Sequence, residues 1–435
     1  MARWVAGSMI GALAAGAADA QVAIRARTLH TMGPAGTIEN GVVVCENGKI
    51  ARVGPAATTL IPEGMRVLDA AVVTPGLIDA HSTVGLSGLY NQRHDSDQLE
   101  TSSAIQPELR ALDAYNPREA LVEWVRSFGV TTIHTGHAPG ELLSGQTIVV
   151  KTVGNTVAEA LVKEPGAVAC TIGPEAHRAG GNPGTRGKEM AMLREAFIKA
   201  REYVARRDRA GGKEAAGEAP PPVPPASDPN DPRERERRFG SDRNLRHEIM
   251  GRVLAGEVPL MVTAQRAQDI DTALRLREEF PGIRLWLDGA AESFLLIERL
   301  KAAAGAEPGV RIILHPPMMR AYGALENSSI DTAGKLLAAG IPVSLQAGYE
   351  GYVPKTRVVL LEAAQLAGRG GLTSAQALAT ITIEPARLLG LESRVGSIEA
   401  GKDADVALYD GDPFEYTSHC TGTVINGNVV FEGRR

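Results

Sequence analysis

Titratable side chains stand at the ends of several apolar runs, and those ends are where chemistry is expected. The stretch from Val72 to Gly85 reads VVTPGLIDAHSTVG: an apolar run breaks at Pro75-Gly76, resumes as Leu77-Ile78 and delivers Asp79 and His81. Two residues apart, their side chains share one side of a strand. Further runs end in the same manner, in His134 (with His137 just beyond), Lys151, Asp288 and His315, and Glu350 follows the last of them. Imidazoles and carboxylates gathered at one mouth hold a metal or exchange protons. His81, Asp288 and His315, supported by His134, His137 and Glu350, form one candidate constellation. Asp288 or Glu292 is the candidate acid or base for a metal-free reaction, although no nucleophile is placed beside a base. Histidines at strand ends also serve as plain hydrogen-bonded structure, and that reading stands beside the catalytic one.

To bring these ends together, the chain needs parallel strands. Eight candidates alternate with helical segments: Leu77 to His81, Val130 to His134, Thr147 to Lys151, Ala167 to Gly173, Leu260 to Ala264, Arg284 to Asp288, Arg311 to His315 and Pro342 to Gln346. Helices with apolar residues at three and four spacing are expected over Pro117 to Phe128, Lys188 to Arg207 and Ala267 to Glu279. This is the pattern of an α/β fold, a (β/α)8 TIM-like barrel over residues 74–393. A doubly wound sheet is the alternative, but no G-x-G-x-x-G follows the first strand. Both chain ends read instead as short strands and turns, with Asn426-Gly427 placed for a type I′ hairpin. Residues 21–73 and 394–435 are therefore expected to build one small β-sandwich. Residues 208–240 fit neither part: seven of the 26 prolines fall between Pro220 and Pro232 amid charges, the composition of a mobile insertion.

With 435 residues, 44% apolar and 22% charged, the chain has material for a large core, and its net charge of −5 argues against a nucleic-acid partner. Residues 1–20 carry Arg3, an apolar run from Val5 to Ala18 and Ala18-Asp19-Ala20, the form of a signal peptide cut before Gln21. A buried N-terminal helix is the alternative. No other segment reaches the ~18 apolar residues of a membrane span. The mature protein is thus expected to be exported, to a periplasm in a Gram-negative host, with no membrane partner. Cys45, Cys170 and Cys420 form no metal or redox motif; a Cys45–Cys420 disulfide is one option and three buried thiols the other.

Several passages, PELRALDAYNPREALVEWVRSFGVTTIHTGHAPG, SGQTIVVKTVG, PGTRGKEMAMLREAFIKAREY and LATITIEPARLLGLESRVGSIEAGKDADV, resemble the amidohydrolase superfamily, in its exported bacterial, imidazolonepropionase-like branch. That resemblance implies a metal-dependent hydrolase of non-peptide C–N bonds. It also implies where ligands belong. Relatives carry PGLIDxHxH on the first strand; here His81 is present and Thr83 takes the second place. Relatives end the fifth strand like P-L-x-V-H-A-H-R-A-D-D-I, and here Thr263 and Gln265 replace both histidines. The sixth-strand histidine position holds Gly289, and the eighth-strand aspartate position holds Gly348. Lys151 resembles the carboxylated lysine of some members, but with no metal pair expected it reads equally as an ordinary ion-paired lysine. One imidazole, His81, is the residual metal ligand, and it does not hold a hydrolytic zinc alone.

The leading expectation is therefore a protein of this fold whose metal centre is lost, a pseudoenzyme acting as scaffold, binder or partner of an active paralogue, with no cofactor. The alternative is an active metal-dependent amidohydrolase of amides or cyclic ureas, with a zinc-type ion on an unusual ligand set. A small-molecule ligand in the barrel mouth and a homo-oligomer are the partners the resemblance implies.

Overall fold

The computed structural model describes residues 21–90, 92–215, 243–319, 321–348 and 358–433. The expected leader, Glu350 and most of the proline-rich insertion lie outside these described residues. Four strands open the chain, β1 (Val22–His30), β2 (Thr37–Glu46), β3 (Lys49–Pro55) and β4 (Arg66–Pro75). The central region contributes β5 (Leu77–Ser82), β6 (Val130–Thr135), β7 (Gly145–Gln146), β8 (Ile148–Lys151), β9 (Leu161–Lys163) and β10 (Val168–Thr171). Then come β11 (Leu260–Ala264), β12 (Leu285–Gly289), β13 (Arg311–Leu314) and β14 (Val343–Leu345). The final strands are β15 (Val406–Tyr409), β16 (Cys420–Ile425) and β17 (Asn428–Glu432).

Strands from the two ends hydrogen-bond into one seven-stranded sheet, in the order β17-β16-β15-β4-β1-β2-β3. The sandwich expected from sequence is in this respect a single continuous sheet, because β4 pairs with β1 on one side and with β15 on the other. Alternating apolar residues such as Ile24, Val43, Ile50, Val73 and Val406 fill its own core. Asn426 (φ 49°) and Gly427 (φ 73°) both take the left-handed backbone that a type I′ turn requires. Cys45, Cys170 and Cys420 are free thiols; three strands separate β2 from β16 in the sheet.

The central strands form two further sheets, β14-β13-β12-β11-β10-β7 and β5-β6-β8-β9. They are joined through the run Gly145–Lys151, where β7 passes into β8, and β14 lies beside β5 at the other end. From β10 to β14 all neighbours are parallel, and so are β5 and β6. Every residue of β5, β6, β8, β11 and β12 is buried, as strands covered on both faces should be. Helix Ala267–Glu279 covers this layer by burying Ile270, Ala273, Leu274 and Leu276, one apolar stripe.

The third candidate strand departs from the expected pattern. β8 runs antiparallel to β6, with Thr132 opposite Lys151 and Thr135 opposite Ile148. Lys151 is thereby carried to the start of β6, away from the strand ends that deliver His81 and Asp288. The helix expected over Lys188 to Arg207 also differs, running Arg186–Ala215. Residues 208–215 continue it and are not part of an insertion: the Arg, Lys, Glu and Ala around Gly211-Gly212 offset about 1 kcal/mol of helix cost per glycine.

Candidate functional site

Residues from four strands, β5, β11, β12 and the end of β14, meet at one buried carboxylate. β12 brings Asp288, and its Oδ2 accepts from Thr263 Oγ1 of β11 at 2.7 Å. Its Oδ1 accepts from Gln346 Nε2, just past β14, at 2.7 Å, and lies 3.1 Å from His81 Nδ1 of β5. Burial works against protonation of His81, but the charge and hydrogen bond of Asp288 outweigh it and the imidazole pKa stands above its ordinary value. Asp79, one residue before Ala80 on the same strand, accepts from the His81 and Ala347 backbone N–H groups, each at 3.2 Å. Burial nonetheless pushes its carboxyl up to about 7.

The other histidines have local roles. His134 lies between Ala80 O (2.7 Å from Nδ1) and Thr147 Oγ1 (2.6 Å from Nε2), edge-on to Trp286 at 5.8 Å. Burial and the neighbouring His81 lower its pKa to about 3. His137 is sealed against the backbone: a Cβ at Gly145 would meet its Nε2 at 2.4 Å, and burial lowers its pKa to about 4. His315 Nδ1 lies 3.0 Å from Pro316 O, and burial lowers its pKa as well. Glu292, a candidate acid or base, accepts from Ala267 N at 2.7 Å and from Asn327 Nδ2 at 2.7 Å; it serves the first turn of helix Ala267–Glu279.

The five positions at which the family resemblance expects ligands are only partly brought together. Gln265, Gly289 and Gly348 line one cavity of about 170 Å³, together with His315 and Gln346. Thr263 is committed to Asp288, and Thr83 lies beyond β5, where its carbonyl accepts from Leu86 N and Ser87 N at 2.9 and 3.1 Å. The two glycines are built into the backbone: Gly289 has φ +79° and Gly348 φ +87°. A Cβ at Gly289 would fall 2.4 Å from Gln265 Nε2, so the glutamine amide occupies the space a side chain there would need. Among the described residues, no three His, Cys, Asp or Glu side chains are gathered so as to hold a metal ion.

Lys151 belongs to a different centre. Its ammonium lies 2.8 Å from Asp403 Oδ2, 2.8 Å from Asp405 Oδ2 and 2.6 Å from Asn426 Oδ1, tying β8 to the seven-stranded sheet. Its candidacy for the site falls with the direction of β8, since the two aspartates precede β15, which pairs with β4. Sequence reasoning missed Gln346 as a ligand of Asp288. The signal was present in Leu345-Gln346 at the end of the last apolar run, but an amide there names no partner by itself.

Residues 283–431 match the profile described as the Amidohydrolase family. An amidohydrolase, tasK, of Hapsidospora irregularis is 28% identical over 90% of this chain, which spans 40% of that protein's length. The imidazolonepropionase of Caulobacter vibrioides is 24% identical over 90% of this chain and 93% of its own. The crystal structure of an amidohydrolase from Thermotoga maritima superposes with a TM-score of 0.81 at 27% identity, covering 95% of this chain and all of the other. The profile match over β12 to β17, these relatives and this superposition agree, and all support the amidohydrolase superfamily.

Proposed function

We propose that this is an amidohydrolase-fold protein without a hydrolytic metal centre, which keeps the mouth of the fold as a binding or scaffolding surface. The observation that carries the reading is the engagement of Asp288. Both of its oxygens already accept hydrogen bonds, from Thr263 and Gln346, and His81 faces it with a raised pKa. A hydrolytic zinc needs about three ligands with free lone pairs, and it works by lowering the pKa of bound water to about 7. His81 turns Nδ1 to Asp288 and can present at most one nitrogen, Thr263 spends its hydroxyl as a donor, and Gly289 and Gly348 bring no donor atom. The residues present do not fit the metal, and no reaction step is derived through it.

The names of the relatives, which denote hydrolases of C–N bonds, favour the rival reading of a working amidohydrolase centred on His81, Asp288 and His315. Two measurements separate the readings. Metal analysis of the purified chain after dialysis is expected to find zinc, iron and manganese well below one per chain; near-stoichiometric metal together with hydrolysis of N-acyl amides or cyclic ureas would overturn the proposal. His81→Ala is expected to leave any residual amide turnover unchanged, whereas the rival requires it to collapse. The same reading takes the two linked central sheets as one barrel with a single reversed stave. A partnership with an active paralogue or a second copy, and export directed by residues 1–20, complete it; N-terminal sequencing of the mature chain and its mass in solution test those two points.

A further inference from the structure

The cavity beside Asp288 is lined by acceptors. His315 Nδ1 faces a carbonyl, Pro316 O, at 3.0 Å, and a carbonyl only accepts, so Nδ1 carries the proton. With burial keeping the ring neutral, Nε2 is left as a bare lone pair, and it has no hydrogen-bond partner. Gln346 spends its amide N–H on Asp288, and its Oε1 is buried without a partner. Gln265 Oε1 is likewise buried and unpartnered. The three residues are 2%, 1% and 5% exposed, and all three line the same cavity of about 170 Å³. A buried polar atom left unpaired costs about 1–3 kcal/mol, so three at one place mark a site that a ligand completes.

The charge around it has one sign. Glu175 stands at the rim, exposed as a residue although burial of its carboxyl, with Asp288 nearby, pushes it up to about 7; a bound cation would favour its ionised form. Asp288 lies behind the Gln346 amide, while no Arg or Lys lines the cavity among the described residues. Met319 and the exposed Tyr322 supply an apolar edge toward solvent. Lone pairs in the wall, a carboxylate at the entrance and an apolar rim together select a ligand that is a pure N–H donor on a short carbon stem. Apart from the Gln265 amide N–H and the Tyr322 hydroxyl at the edge, an anion would meet acceptors, and a cation without N–H would leave the three lone pairs unpaired.

We propose that this cavity binds the nitrogen end of a small amine or guanidine, its ammonium or guanidinium N–H groups donating to His315 Nε2, Gln265 Oε1 and Gln346 Oε1 with Glu175 as counter-charge. The inference rests on the preceding reading of the mouth as metal-free. Calorimetric titration of the purified full chain with methylguanidinium chloride and, in a second arm, methylammonium chloride distinguishes the two nitrogen chemistries; tetramethylammonium chloride and sodium acetate are the controls. Saturable binding of at least one N–H cation is expected, with none of either control, and Gln265→Leu and Glu175→Gln are each expected to weaken it about tenfold, one charge-assisted hydrogen bond or ion pair apiece. Glu175 is exposed, so its variant tests the site even where Gln265→Leu compromises folding. No saturable binding of either N–H cation, equal binding of tetramethylammonium, or full affinity in the Glu175→Gln chain overturns the inference. Metal content measured on the same sample keeps the two failures apart: stoichiometric zinc sinks the metal-free reading, whereas a metal-free chain that ignores both cations sinks only this one.

Discussion

Two buried charge centres, one on β8 and one on β12, are settled differently. At the base, the Lys151 ammonium meets two carboxylates, Asp403 and Asp405, and Asp403 also receives Lys49 at 2.6 Å and Arg394 at 2.9 Å. At the mouth, the single carboxylate of Asp288 is met by one imidazole and two neutral donors, and acceptor atoms of Gln265, His315 and Gln346 stay without partners beside it. The base has the form of a joint, in which each charge is answered by another. At the mouth, the polar groups outnumber what the protein itself supplies to satisfy them, which is how binding sites differ from structural ion pairs.

The contrast is open to attack from either end. The largest effect is expected from Lys151→Met, which strips buried Asp405 of its ammonium and takes one of three cations from Asp403; removing one partner of a buried pair costs about 3–5 kcal/mol. Urea unfolding reads this directly, and a loss under about 1 kcal/mol would show that the base is not the joint described. Next comes Gly289→His, the substitution that returns a family ligand. With φ +79° and Gln265 Nε2 2.4 Å from the new Cβ, it is expected to lose about 1–3 kcal/mol and to gain no zinc, as read by thermal unfolding and metal analysis. Zinc uptake without loss of stability would mean that the mouth still holds its ancestral shape.

A third effect concerns pH. Burial raises Asp79 to about 7, above the ordinary carboxylate value near 4, so its ionisation is disfavoured in the folded state. Below pH 4 the group is protonated folded and unfolded alike and contributes nothing; as pH rises toward 7 only the unfolded chain loses the proton freely, and stability falls. Asp79→Asn removes that slope while its amide oxygen still accepts from His81 N and Ala347 N. The variant is therefore expected to gain on the parent chain steadily from pH 4 to 7 in paired denaturation series. A gap that narrows over this window would reverse the assignment.

Runs that are apolar from end to end were legible from sequence. β11 and helix Ala267–Glu279 fall where periodicity places them, and Asn426-Gly427 turns as the residue pair demands. Direction was not legible: Thr147 to Lys151 reads as the same buried strand either way. The extension to Ala215 was hidden for the opposite reason, because Gly211-Gly212 signals a break that the surrounding helix formers override. At the site, the positions where the resemblance expects ligands were legible residue by residue. The partners of Asp288 were not, since Thr263, Gln346 and His81 meet it across separations of 25, 58 and 207 residues. Backbone hand at Gly289 and Gly348 likewise exists only once the loops are built.

The seven-stranded sheet carries a consequence for biosynthesis. Chains fold from the N-terminal side as they emerge, yet β4 receives its second neighbour only from β15, and β16 and β17 add to that edge later still. For the whole time that the central strands are being translated, β4 offers an open row of amides and carbonyls to any extended peptide nearby. Asp403 and Asp405 reach Lys151 in the same late interval. Completion of the small sheet and neutralisation of that lysine thus fall in one late interval, after the central strands have emerged.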